Sequence, residues 1–257
     1  MRIAVAGGTG VVGRHVVRAL ADAGHQAVVL TRAGGVDVTT GAGLDTALAG
    51  ADALIDVTNV VTTGKQASVA FFETATRHLL DAGRRAGLRH HVALSIVGCD
   101  RVDFGYYFGK RRQEELVLSG AVPASVLRAT QFFEFAEQFV APSRMPVAVV
   151  PRMRTQPIAA REVAVALVAL AAGPPVGRAG ELAGPAEEQM VDMVRRLARV
   201  RGARRLVLPL TVPGQVGRAM TGGALLPTGP GPRGGQDFDD WLRDTDAVPP
   251  SLRLPAS

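Results

Sequence analysis

The chain has only two tyrosines and two lysines, and one lysine follows the adjacent tyrosines in Tyr106-Tyr107-Phe108-Gly109-Lys110. A spacing of four on a helix puts the phenol of Tyr106 and the ammonium of Lys110 on one face. A nearby cation stabilises phenolate and lowers a tyrosine pKa that starts at about 10, so such a pair can exchange a proton near neutrality. Ser95, at the end of the preceding strand-like run, adds a hydroxyl able to hold a reacting oxygen. No His–Asp constellation accompanies it, which argues against a hydrolase nucleophile. His90 and His91 have no acidic or cysteine partners at metal-ligand spacing, so no metal is expected.

A second motif stands at the start. Gly7-Gly8-Thr9-Gly10-Val11-Val12-Gly13 follows an apolar run, Arg2 to Ala6, and opens a helical pattern. Glycines there permit a tight turn and close approach of a pyrophosphate, which the helix N-terminus meets with N–H groups and its positive dipole end. The following strand ends in Leu30-Thr31-Arg32, with Arg32 where NAD-binding domains place an acid for the ribose hydroxyls. A guanidinium suits a 2′-phosphate better, so NADP(H) is the expected cofactor; the alternative is an ordinary exposed arginine. Asp37 and Val38 are placed beside the adenine by position alone, and Thr58 and Asn59 against the cofactor at the end of the third strand.

Around these motifs the chain alternates strand and helix. Strands are expected at 2–6, 27–30, 53–57, 92–95 and 125–128, with helices at 11–23, 44–48, 68–86 and 105–119 between them. That is the signature of βαβ units in a Rossmann-type doubly wound parallel sheet. Residues 1–130 read as the dinucleotide-binding core. Residues 131–257 read as substrate-side elements of the same domain: an aromatic segment (Phe132, Phe133, Phe135, Phe139), a strand at 147–150, helices at 162–172 and 187–200, and a loop rich in glycine and proline near 222–235. Phe132 and Phe133 are candidates for an apolar or aromatic substrate wall, with core packing as the alternative.

The chain's 257 residues, 47% of them hydrophobic, can bury a sizeable core and exclude global disorder. A lone cysteine, Cys99, leaves no intramolecular disulfide or cysteine metal cluster, as expected of a cytoplasmic protein. The glycines from Gly7 cut the first apolar run too short for an export signal, and no apolar run reaches bilayer length. Net charge is +6, yet all but two of the 29 basic Lys and Arg residues are arginine in a chain rich in Ala, Gly and Pro. The densest stretch, Arg195 to Arg205, is expected to be a solvated face, and no nucleic-acid partner is expected.

With the glycine loop, Leu30-Thr31-Arg32, Ala93-Leu94-Ser95-Ile96-Val97-Gly98, Tyr106 to Lys110, and Gln156-Pro157-Ile158 leading into Arg161-Glu162-Val163-Ala164, the chain resembles the short-chain dehydrogenase/reductase superfamily over nearly its whole length. The likeness is to its atypical, NmrA-like NAD(P)-binding branch. That resemblance implies a substrate-orienting Ser95, an acid/base Tyr106, and a Lys110 that binds the nicotinamide ribose and lowers the tyrosine pKa. It implies an NADPH-dependent oxidoreductase moving hydride to or from a carbonyl or conjugated small molecule. Two alternatives accompany it: a non-catalytic dinucleotide sensor, since the branch includes such proteins, and a non-redox reaction on the same fold. The asparagine that many short-chain reductases carry on the helix before the serine strand is missing; Asn59 is the chain's only asparagine.

Overall fold

The structure, a computed structural model, describes residues 1–141 and 146–244. Its elements in chain order are β1 (Arg2–Ala6), α1 (Val11–Asp22), β2 (Gln26–Leu30), α2 (Leu44–Leu48), β3 (Ala53–Asp56), α3 (Lys65–Ala86), β4 (His90–Ile96), α4 (Gly105–Ser119), β5 (Ala124–Ala129), α5 (Glu137–Val140), β6 (Val147–Pro151), β7 (Arg154–Thr155), α6 (Ala160–Ala172), β8 (Gly177–Arg178), β9 (Glu188–Gln189), α7 (Met190–Val200), β10 (Leu206–Leu210), α8 (Gly214–Thr221) and α9 (Phe238–Arg243).

Six strands form one sheet in the order β2-β1-β3-β4-β5-β8, every neighbour parallel. Side chains alternate across a strand, so β1 sends Ile3 and Val5 to one face and Ala4 and Ala6 to the other. Ile3 and Val5 pack with Val16 and Leu20 of α1 and Leu167 of α6; Ala4 and Ala6 pack with Leu44 and Leu48 of α2 and Leu79 of α3. Both faces are therefore buried, which is why the strands read as near-continuous apolar runs. The order reverses between β1 and β3, and in such sheets ligands sit outside the carboxyl ends of the strands at that switch. The glycine turn after β1 and the Val57-Thr58-Asn59 stretch after β3 lie there.

A second core joins the β4–α4 connection to the later elements. Cys99, Val102 and Tyr107 pack there with Phe133, Met153, Met190, Leu197, Phe238 and Trp241. β6 pairs with β10 in parallel and β7 with β9 antiparallel. The sequence division at 130 is not a spatial one, because α6 and β8 return to the main sheet. The helix expected at 187–200 starts only at Met190, since Glu188 and Gln189 pair with β7. The 222–235 loop contains no helix or strand, only a bridge from Arg233 to Ala183. Within the 131–257 region, residues 142–145 and 245–257 lie outside the described residues. Among the described residues no helix is long and apolar enough to cross a membrane.

Candidate dinucleotide and catalytic site

The glycine turn is shaped by backbone crowding. Gly7 has φ +81°, and a Cβ there would lie 2.7 Å from the Val57 carbonyl oxygen. A Cβ on Gly13 would overlap the Gly7 carbonyl, so α1 can start against the turn only because both positions lack side chains. The Gly10 N–H donates to Gly7 O at 2.9 Å, no side chain caps α1, and its first turn holds no acid. Thr9, Gly10 and Val11 are exposed at this N-terminus, whereas Gly8, Val12 and Gly13 are buried beneath it. An uncapped helix end behind a cradle that any Cβ would fill suits a pyrophosphate.

Arg32 opens a one-turn helix (Arg32–Gly34) and is exposed; Thr31 caps that turn by accepting from Gly34 N at 3.0 Å. Asp37 accepts from the Thr39 hydroxyl and N–H, which hold its carboxyl below the usual range, and Arg32 adds to the effect. Val38 packs against the α2–α3 core, and its carbonyl accepts from His78 Nδ1 at 2.9 Å. After β3, Thr58 is turned inward: its N–H and hydroxyl both donate to Asp56 Oδ1, at 2.9 and 2.7 Å. Asn59 is exposed and its Oδ1 accepts the Tyr106 hydroxyl at 2.6 Å.

Tyr106, Lys110 and Ser95 have separate hydrogen-bond partners. Beyond Asn59, the Tyr106 ring stands edge-on to Phe72 at 5.6 Å. Burial raises its phenol pKa, with neighbouring Tyr107 adding to the rise. The lowering expected from Lys110 is absent: no cation offsets the cost of burying phenolate. Lys110 is itself buried, its Nζ donating to Leu94 O at 2.6 Å and to Gln113 Oε1, and lying 4.6 Å from the centre of the Phe72 ring. Burial lowers its pKa to about 8 against the attraction of Asp56, Cys99 and Glu114. Ser95 faces α4, where its hydroxyl donates to Glu114 Oε1 at 2.5 Å. Only 2% of it is exposed, so its hydroxyl is not offered to a substrate in this geometry.

The aromatic pair divides likewise. Phe133 is 1% exposed and packs on Phe238 and Trp241 at 5.4 and 5.8 Å, which is core packing and not a substrate wall; Phe132 stays partly exposed. His90 and His91 are buried, His90 between Gly173 O and the Ser125 hydroxyl, His91 with Nε2 at 3.9 Å from Asp56 Oδ2. Three residues that the sequence reading did not single out complete the surroundings: Asp56, Gln113 and Glu114. The available signals were an acid closing the apolar run Ala53-Leu54-Ile55, and polar residues three and four places after Lys110, on its own helix face.

Residues 3–99 match the model of the NAD-dependent epimerase/dehydratase family. The (4-alkanoyl-5-oxo-2,5-dihydrofuran-3-yl)methyl phosphate reductase of Streptomyces griseus is 32% identical over 218 residues, covering 78% of this chain and 74% of that protein. The chain belongs to the short-chain dehydrogenase/reductase superfamily. Solved structures share the fold at lower identity. A superfamily member from Agrobacterium tumefaciens with bound NAD has a TM-score of 0.67 at 19% identity, covering 96% of both chains. An NAD-dependent NDP-hexosamine 5,6-dehydratase involved in tunicamycin biosynthesis has a TM-score of 0.70 at 16% identity, covering 94% of this chain and 95% of its own.

Proposed function

We propose that the protein is an NADPH-dependent reductase acting on a carbonyl or conjugated small molecule, with Tyr106 as proton donor. The observation that carries this reading is the meeting of Tyr106 with Asn59, two residues beyond the Val57 carbonyl that closes on Gly7. Phenol and glycine cradle thus converge on the switch point of the sheet. The cradle and Thr9 to Val11 would hold the pyrophosphate and exposed Arg32 the 2′-phosphate; Lys110, 4% exposed and donating to Leu94 O and Gln113, would reach the nicotinamide-side ribose with its remaining N–H. When bound, NADPH supplies the hydride. Tyr106, kept protonated by burial, would give its proton to the substrate oxygen or carbanion, turning it from Asn59 Oδ1, the acceptor that positions the phenol in this structure. The Streptomyces relative is named for reduction of an oxo-dihydrofuran, a ring joining unsaturation and a carbonyl, and this supports the same acceptor class. Nucleic acid is left out of the proposal because Arg195, Arg199 and Arg204 are the exposed part of that stretch, while Arg196, Arg201 and Arg205 brace Asp239, Glu137 and the Phe139 carbonyl.

A second reading, a dinucleotide-binding regulator without turnover, draws on the engagement of Ser95 by Glu114. NADPH oxidation against ketones, quinones, enones and unsaturated lactones, paired with nucleotide titration, separates the two. Tyr106→Phe is expected to cut turnover by about 10²–10⁴ with NADPH affinity unchanged. Arg32→Ala is expected to weaken NADPH by roughly ten- to a hundredfold and leave NADH alone. Undiminished turnover in Tyr106→Phe overturns its acid role, and equal loss for both nucleotides in Arg32→Ala removes the phosphate contact.

A further inference from the structure

Behind Lys110 runs a buried polar chain that the proposed chemistry does not explain. Lys110 donates to Gln113 Oε1, and Gln113 Nε2 donates to Asp56 Oδ2 at 2.8 Å. All three side chains are at most 4% exposed. The charges at its ends settle which way the Gln113 amide points: the reverse orientation would set an NH₂ against the ammonium and a carbonyl against the carboxylate. The other oxygen of Asp56 is filled by Thr58. No arginine pairs with Asp56 among the described residues, and His91 stands beside it with Nε2 unpartnered. Of the two carboxylates that act on Lys110, Glu114 is covered by the guanidiniums of Arg128 and Arg178, whereas Asp56 has no such guanidinium partner and only the His91 ring, 3.9 Å away, beside it.

We propose that Asp56 and Gln113 are positioning residues for Lys110: a buried carboxylate, extended by a side-chain amide, holds the ammonium in place beneath the site and keeps it charged. The amide conveys the attraction by polarisation, its carbonyl end facing the lysine and its N–H end the carboxylate. Burial opposes the charged form of Lys110, lowering its pKa to about 8, so this support decides how much ammonium exists near neutrality. Cys99 faces the lysine as a neutral thiol, its pKa pushed up to about 11 by burial. The inference rests on Lys110 being the ribose-binding lysine, but its test does not depend on turnover.

Because the chain has only two lysines, Lys65 and Lys110, ¹³Cε-lysine labelling gives two signals, assigned by Lys110→Arg. The full-length protein without nucleotide is titrated by NMR. Asp56→Asn and Gln113→Leu are expected to lower the Lys110 midpoint by about one pH unit, and Gln113→Glu to raise it by a similar amount. NADPH affinity at pH 7 and 9 should follow the same order. A structural role alone would reduce stability without moving the midpoint of the folded state. An unmoved midpoint in Asp56→Asn and Gln113→Leu, or a shift of the same sign in Gln113→Glu, overturns the proposal. Should Asp56→Asn not fold, the opposed signs of the two Gln113 variants still decide it. If Lys110→Met binds NADPH normally, the cofactor role of Lys110 fails while the midpoint shifts test the positioning network separately.

Discussion

Helix α4 carries two buried polar clusters, one on each side of Lys110, and they are built differently. On the β3 side, Asp56 accepts hydrogen bonds from neutral donors, Thr58 twice and Gln113 once, with the His91 ring 3.9 Å away and no guanidinium among the described residues. On the β5 side, Glu114 accepts from Arg128 Nε and Nη2 at 2.8 and 2.7 Å, from Arg178 at 2.6 Å and from Ser95 at 2.5 Å. Burial pushes both carboxyl pKa values up and is outweighed in both. Arg128, Ser95 and Arg178 take Glu114 down to about 2, while His91 and Thr58 take Asp56 below its usual value. A carboxylate closed by two guanidiniums ties β4, α4, β5 and β8 together, and most of its charge is spent on them. One without a guanidinium partner keeps more of its charge available to Lys110. The difference separates a brace from a support for chemistry, although both clusters hang from the same helix.

Removing the acceptors should expose that contrast most sharply. Glu114→Ala leaves the partly buried Arg128 with Asp100 as its remaining carboxylate and the Ser95 hydroxyl without its acceptor, and is expected to cost about 3 kcal/mol. Asp56→Asn, which keeps an acceptor for Thr58, should cost about 1–2 kcal/mol. Urea denaturation at pH 7 measures both, and equal losses would erase the distinction. A third carboxyl, the partly buried Glu134, sharpens it through pH. Burial raises its pKa to about 7, opposed by the backbone N–H of Ala160 and by Trp241. Its folded value lies above its unfolded one, so stability is full below about pH 4.5 and declines as pH rises through 7, by at most about 3 kcal/mol. Glu114 has the opposite sign: its contribution is present above pH 4.5 and is lost as pH falls toward 2. Glu134→Gln should flatten the decline between pH 5 and 8 in a denaturation series, and an unchanged slope would show that another group causes it. The smallest effect is expected at Arg178, whose side chain is 57% exposed: Arg178→Ala should cost less than about 1 kcal/mol in the same assay, because solvent screens its pairing.

Much of the fold was legible in the chain. The five alternating strands and the helices between them follow from apolar runs and helical periodicity, and the glycine turn stands where the motif places it. The short strands β7, β8 and β9 have two residues each, too few for any period. β10 carries Pro209, which interrupts a strand pattern yet is tolerated at a sheet edge. At the site, Gly7 to Gly13 and the position of Tyr106 were readable. The engagement of Ser95 was not, because its partner Glu114 lies nineteen residues on and meets it across the interface of β4 with α4. Phe133 and Phe132 are adjacent and alike in sequence, yet one enters the second core and the other, partly exposed, packs against the main-sheet core.

The sequence by itself determined what local geometry requires: glycines where a Cβ would strike backbone, a helix that sets Tyr106 and Lys110 one turn apart, and strands whose alternation buries both faces. Tertiary structure alone decided which polar groups meet. Hydrogen bonding and desolvation depend on distances between residues far apart in the chain. Asp56 and Gln113 are 57 residues apart, Glu114 and Arg178 64. Only the packed fold brings them within 3 Å, and only there does a buried charge acquire the partners that set its protonation.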